Sequence, residues 1–270
     1  MNASDSTRAA TLITGASDGI GRELAKLFAG DGHDLILVAR DERKLATVAS
    51  EIGALHGVRV EYLVNDLSTA EGARQLFAEV EARRVQVDVL VNNAGVGTYG
   101  LFADTELDRE LRMMQLNMGS VTVLTKLLLP QMLERRRGRI LNVASMAAFQ
   151  PGPLMAVYYA TKAYVLSFSE ALADELRDSG VMVSVLCPGP TRSSFQRSAG
   201  MNASKLFRFG VMDASEVAVT AYRGFKRGKT TIVPGFFNKL SAFGVRLLPR
   251  KLAPMIVRRL QEPAGERKVK

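Results

Sequence analysis

The chain has 270 residues, 47% of them hydrophobic, enough to fill the core of one large α/β domain. No apolar run reaches the roughly 18 residues of a membrane span and the N-terminus has no signal-peptide apolar region, so the cytoplasm is the expected compartment; lone Cys187, with only His33 and His56, offers no disulfide framework or metal cluster. The net charge of +9 lies in the tail, where twelve Lys/Arg from Lys226 onward face two acids; residues 1–225 carry 24 basic and 25 acidic side chains, which argues against nucleic acid as a partner.

Arg8 to Thr14 reads as a buried strand running into TGASDGIG at 14–21 and then a helix through Phe28. Glycines at 15, 19 and 21 suit either a plain tight turn or one that brings backbone N–H groups and a helix N-terminus up to a pyrophosphate. Asp34 to Ala39 is a second strand, with Asp41 as the expected N-cap of the next helix. Arg40, at the strand end, suits a ribose 2′-phosphate and favours NADP(H) over NAD(H), unless it is a solvated surface charge. Val58 to Leu63 is a third strand, and Ser68-x-x-Glu71 reads as a capping box opening a helix. Asp66 between them is either an adenine contact or a loop cap.

Asp88 to Val91 is a fourth strand, leading into NNAG at 92–95. A long helix is expected from about Thr105 to Leu133, with Asn117 inside it. Asparagine is a mediocre helix former, so Asn117 is either a satisfied buried amide or a residue that holds water or reshapes the helix. Arg139 to Val143 is a fifth strand delivering Ser145 just past its end, followed by an apolar loop from Met146 to Val157 that could line a pocket for an apolar ketone or alcohol. Tyr158 and Lys162, one helical turn apart, share a face on a helix reaching about Asp178. A nearby ammonium favours phenolate and fits the phenol for proton transfer. Tyr159 lies roughly 100° away and is a poor rival. Val181 to Leu186 and Thr230 to Pro234 are the sixth and seventh strands; Arg192 to Phe209, small, polar and glycine-punctuated, reads as a lid. Strands alternating with helices indicate a doubly wound parallel sheet with helices on both faces.

The ordered set TGASDGIG, Asp66, NNAG, Asn117, Ser145, Tyr158-x-x-x-Lys162 and Pro188-Gly189 resembles the classical short-chain dehydrogenase/reductase family, over about 190 residues. The resemblance implies a Rossmann-type fold with seven parallel strands and an oxidoreductase interconverting a carbonyl and a secondary alcohol. Tyr158 would be the acid/base, Ser145 would hold the substrate oxygen, Lys162 would lower the tyrosine pKa and hold the nicotinamide ribose, and Asn117 would anchor a relay water. Cofactor contacts would come from Thr14, Gly15, Ser17, Gly19, Ile20, Gly21, Arg40, Asp66, Asn93, Ala94, Gly95, Tyr158, Lys162, Pro188, Gly189 and Thr191. The resemblance also implies a homodimer or homotetramer, and the lone cysteine and two histidines leave no metal to expect.

Residues 1–234 would form the catalytic domain and 235–270 a basic amphipathic extension. Phe236, Leu240, Phe243 and Leu247, then Leu252, Met255, Ile256 and Leu260, fall at helical spacing with cations interleaved. These apolar faces are expected to pack on the domain or a second subunit; a sharper reading is a peripheral contact with an anionic membrane, and an acidic carrier protein or acyl substrate is a third. A lipid-like substrate is the leading expectation. The rival is a nucleotide-binding, membrane-surface or partner-binding protein without turnover.

Overall fold

A computed structural model of the chain describes residues 9–201 and 210–262. Arg8, the 202–209 part of the expected lid and residues 263–270 lie outside the described residues. The apolar runs form β1 (Ala9–Thr14), β2 (Asp34–Ala39), β3 (Val60–Val64), β4 (Gln86–Asn92), β5 (Gly138–Val143) and β6 (Val181–Leu186). A small separate pair, β7 (Thr191–Arg192) and β8 (Met212–Asp213), precedes β9 (Thr231–Ile232). The main sheet is parallel and seven-stranded, in the order β3-β2-β1-β4-β5-β6-β9.

The helices are α1 (Gly19–Gly30), α2 (Glu42–His56), α3 (Gly72–Ala82), α4 (Leu107–Met114), α5 (Ser120–Glu134), α6 (Ala156–Glu175), the one-turn α7 (Phe195–Ser198), α8 (Ala214–Lys226), α9 (Phe236–Leu247) and α10 (Leu252–Gln261). Alternate strand residues face opposite sides, so each strand feeds two cores. Ile13, Leu35 and Leu37 meet Leu24, Phe28, Leu45, Val217 and Phe225 of α1, α2 and α8. Leu12, Ile36 and Leu90 meet Leu76, Leu124, Leu128 and Leu172 of α3, α5 and α6. Burying each such side chain contributes about 1.5–3 kcal/mol, and a strand covered on both faces reads as an unbroken apolar run.

Asp41 caps α2 as expected, its carboxylate accepting from Lys44 N–H at 3.1 Å. The Ser68 capping box does not form. Ser68 donates through N–H (3.0 Å) and Oγ (2.7 Å) to Asp66 Oδ1, and Thr69 Oγ1 accepts from Gly72 N–H at 3.0 Å where α3 begins. The nearer carboxylate wins Ser68, and α3 starts after Glu71, whose side chain makes no cap hydrogen bond. The long helix is α4 continued by α5, joined by a π-helical turn at Gln115–Gly119 that contains Asn117. Such turns insert one residue into a helix and are frequent at functional sites. The seventh strand is shorter than the expected Thr230–Pro234 segment, pairing only at Thr231 and Ile232.

Strand order reverses at β1, with β2 to one side and β4 to the other. In an open parallel sheet, ligands bind in the crevice beyond the strand ends at that point. Here the crevice is walled by the Gly15 turn after β1 and by Asn93 to Gly95 after β4.

Candidate active site

The turn after β1 is built on contacts only glycine permits. Gly15 has φ +66°, and a Cβ there would stand 2.9 Å from Ala94 Cα. Gly21, in the first turn of α1, lies so close to Gly15 O and the Asn93 amide that a Cβ would overlap both. Asn93 Nδ2 donates to Thr14 O (2.9 Å) and Gly15 O (3.0 Å), while Thr14 Oγ1 accepts from the N–H groups of Asn93 and Ala94, each at 3.0 Å. Thr14 is therefore buried inside this latch and does not line the crevice; Gly21 serves as its packing floor.

The crevice encloses about 520 Å³. Gly15, Ser17, Gly19, Ile20, Arg40, Asp66, Asn93, Ala94, Gly95, Pro188, Gly189 and Thr191 all line it, as do Ser145, Tyr158 and Lys162. A bare glycine turn at a helix N-terminus, leading to a strand-end arginine at one end and a tyrosine and lysine at the other, fits an elongated dinucleotide. Lys44 borders the arginine end too, and sequence spacing gave no sign of it, because it comes round only when α2 packs. Asp66 Oδ1 is occupied by Ser68; burial would raise its carboxyl pKa, but the Ser68 hydrogen bonds, aided by Arg40, hold it below the ordinary value.

At the other end α6 presents Tyr158 and Lys162, both buried. Burial pushes the Tyr158 phenol above its ordinary pKa, the Ser145 hydroxyl partly offsetting this by hydrogen bonding. Lys162 Nζ stands 5.9 Å from the Tyr158 ring centroid and donates to Val143 O at 2.9 Å. Burial pulls its pKa down to about 8. Desolvation thus sets the direction of the Tyr158 shift, and Ser145 rather than Lys162 opposes it. Ser145 Oγ also accepts from Ala147 N–H at 3.1 Å, which fixes the hydroxyl beside the phenol.

Asn117 does not line the crevice. Its Oδ1 accepts from Val96 N–H (3.1 Å), and its Nδ2 donates to Val96 O (3.0 Å) and Thr161 Oγ1 (3.0 Å). The side chain is a satisfied buried amide tying the loop after β4 to α6. It still lies next to Lys162, since Asn117 Oδ1 and Lys162 Nζ each stand 3.2 Å from where a Cβ on Gly95 would be.

The apolar end is walled by Val96, Ala147, Met155, Tyr159, Phe195 and Met201. Phe195, in the described part of the lid segment, packs on Tyr158 at 5.4 Å between ring centroids. This segment is tied to the glycine turn as well, for Asp18 Oδ2 accepts from Ser194 N–H at 3.3 Å. Tyr159 proves a wall residue of the same crevice, its hydroxyl accepting from Gln261 Nε2 at 2.5 Å. Gln261 is fully buried at the end of α10, and its backbone carbonyl accepts from Tyr99 OH at 2.8 Å. A contact spanning 102 residues leaves no local sequence signal, so Gln261 escapes any motif reading.

Comparison with known proteins agrees with this geometry. A family model described as short chain dehydrogenase matches residues 9–203. A very-long-chain 3-oxoacyl-CoA reductase of Anas platyrhynchos is 38% identical over 184 residues, 66% of this chain and 58% of the reductase. The chain spans between about a third and two thirds of the length of the curated relatives it matches. A short-chain dehydrogenase from Sphingobium yanoikuyae, solved in complex with NADPH, aligns over 97% of this chain and 98% of its own at 31% identity and a TM-score of 0.80. One from Burkholderia phymatum in complex with NAD aligns over 97% and 98% at 25% identity and a TM-score of 0.78.

Proposed function

The chain belongs to the short-chain dehydrogenase family of oxidoreductases, and on that footing we propose that it is an NADP(H)-dependent reductase of apolar, lipid-like ketones. The observation that carries this is the meeting of Ser145, Tyr158 and Lys162 at one end of a crevice whose other end is bordered by Arg40 and Lys44. A bound nicotinamide dinucleotide would supply the hydride; the glycine turn, Asn93 to Gly95, Asp66, and Pro188 to Thr191 would hold it. Tyr158, kept protonated at neutral pH by burial, hands its proton to the carbonyl oxygen. Ser145 orients that oxygen, and the Lys162 ammonium supports the phenolate left behind. Asn117 is a positioning residue, acting through Thr161 and the loop before Val96. Aliphatic and aromatic walls around the phenol favour an apolar substrate and exclude water.

Consumption of NADPH across a panel of ketones of increasing bulk tests the reading; absence of turnover with every member would overturn it. The similarity to a 3-oxoacyl-CoA reductase makes long-chain 3-oxoacyl thioesters worth a place in that panel. The rival reading, a nucleotide binder without turnover, has only the basic tail to recommend it.

Cofactor choice is separable. Arg40 is exposed at the crevice edge, while Asp41 beside it is engaged in capping α2. Two cations at this end suit a 2′-phosphate. Arg40→Asp should weaken NADPH binding by about tenfold or more, from loss of a charge-assisted contact and gain of a repulsive one, and leave NADH binding no weaker. Fluorescence titration with both cofactors measures it, and unchanged NADPH affinity would remove Arg40 from the site.

A further inference from the structure

We propose that α9 and α10 together dock the protein on an anionic phospholipid bilayer, with the apolar end of the crevice held at the lipid surface. α10 has two faces. Ala253, Val257 and Gln261 are buried, Val257 in the same cluster as Tyr158, Tyr159 and Met155, so this helix backs the wall of the crevice. Its outward side exposes Leu252, Met255, Ile256 and Leu260.

α9 also borders the crevice, through residues that line it. It packs against the turn at Met146–Phe149, and its Asn238 lies directly on Gly189. Its outward stripe is more exposed still: Phe236 is 74%, Phe237 82%, Phe243 62% and Leu247 74% accessible. Apolar faces this exposed are unusual on water-facing helices and mark a contact surface.

Charge selects the occupant. Lys239, Arg250, Lys251, Arg258 and Arg259 are exposed on the same two helices and their link, and Glu262 is the one acid there among the described residues, already paired with Arg258 at 3.7 Å. A second copy laid face to face would set these cations against their own kind. An anionic headgroup layer neutralises them, while the aromatic and aliphatic side chains enter the acyl boundary, the combination used by interfacial helices.

The test uses the full chain and vesicles of phosphatidylcholine alone or mixed with phosphatidylserine. Cosedimentation with the mixed vesicles, weakened by salt and absent with phosphatidylcholine, is the expected result. Lys239→Glu combined with Lys251→Glu should weaken it at least about twenty-fivefold, at roughly fivefold per cation removed. Phe237→Ser combined with Phe243→Ser should also release the protein, both pairs keeping the parent's thermal unfolding midpoint. Failure to bind the mixed vesicles, equal binding to both vesicle types, or conversion of a lipid-free dimer to monomer by the phenylalanine pair would each overturn the proposal. Binding and oligomer size are read without turnover, so failure here leaves the enzymatic reading standing.

Discussion

Replacing Tyr158 by phenylalanine should lower the rate of NADPH-linked ketone reduction by about two to four orders of magnitude, the usual worth of a positioned general acid, while NADPH binding is retained. The change removes one oxygen and leaves the ring packed against Phe195 and Tyr159, whose centroids lie at 5.4 and 6.1 Å. Steady-state kinetics and a binding titration on the same preparation separate the two effects; a variant as fast as the parent would dismiss Tyr158 as proton donor. The pH dependence carries a second mark. Burial holds Tyr158 above its ordinary pKa, so the donor stays protonated across the neutral range, but it draws Lys162 down to about 8. The ammonium is complete below that value and lost above it. Reduction should therefore decline as pH rises through about 8, and a flat profile well beyond it would separate the lysine charge from the reaction.

Gly21→Ala should cost about 1–3 kcal/mol of stability, as overpacking does, and weaken NADPH binding by tenfold or more. The added methyl has nowhere to go: one neighbour is the backbone oxygen of Gly15, which cannot swing aside as a side-chain tip would, and the other is the Asn93 amide that joins the first turn to the end of β4. Relief requires opening that latch, and with it the floor of the crevice. Gly244→Ala in α9 is the control. A Cβ there meets nothing within 4 Å, and alanine in a helix should be neutral or stabilise by about 0.4–1 kcal/mol. Urea unfolding of both variants, with a cofactor titration, compares them; equal midpoints would mean that the turn tolerates the methyl.

The sheet was legible because its strands are buried on both faces, so Asp34 to Ala39 or Val181 to Leu186 stands out as an unbroken apolar run. The meeting of Tyr158 and Lys162 in the crevice was legible because helical spacing puts them on one side without help from the rest of the fold. What escaped depends on choices between neighbours or on distant contacts. Ser68 matched a capping pattern yet went to Asp66, two residues back. Asn117 looked odd in a helix, and only the fold shows a π turn whose amide reaches Val96 and Thr161. Lys44 reaches the crevice through packing, and Gln261 arrives from the far end of the chain.

Two adjacent phenols raise a problem of phase. Tyr158 and Tyr159 are chemically alike, burial raises the pKa of both, and they differ by about 100° of rotation about α6. Acidity cannot choose between them, so angle must. That angle is set by three ties along the helix: Thr161 to Asn117 at 3.0 Å, Lys162 to Val143 O at 2.9 Å, and Ser169 to Asn142 at 2.9 Å, the last continuing to Asn92 on the neighbouring strand. Together they index α6 like a keyed shaft, turning one hydroxyl to Ser145 and the other to Gln261. Which of the two phenols faces Ser145 is thus written in buried polar contacts between α6 and its neighbours.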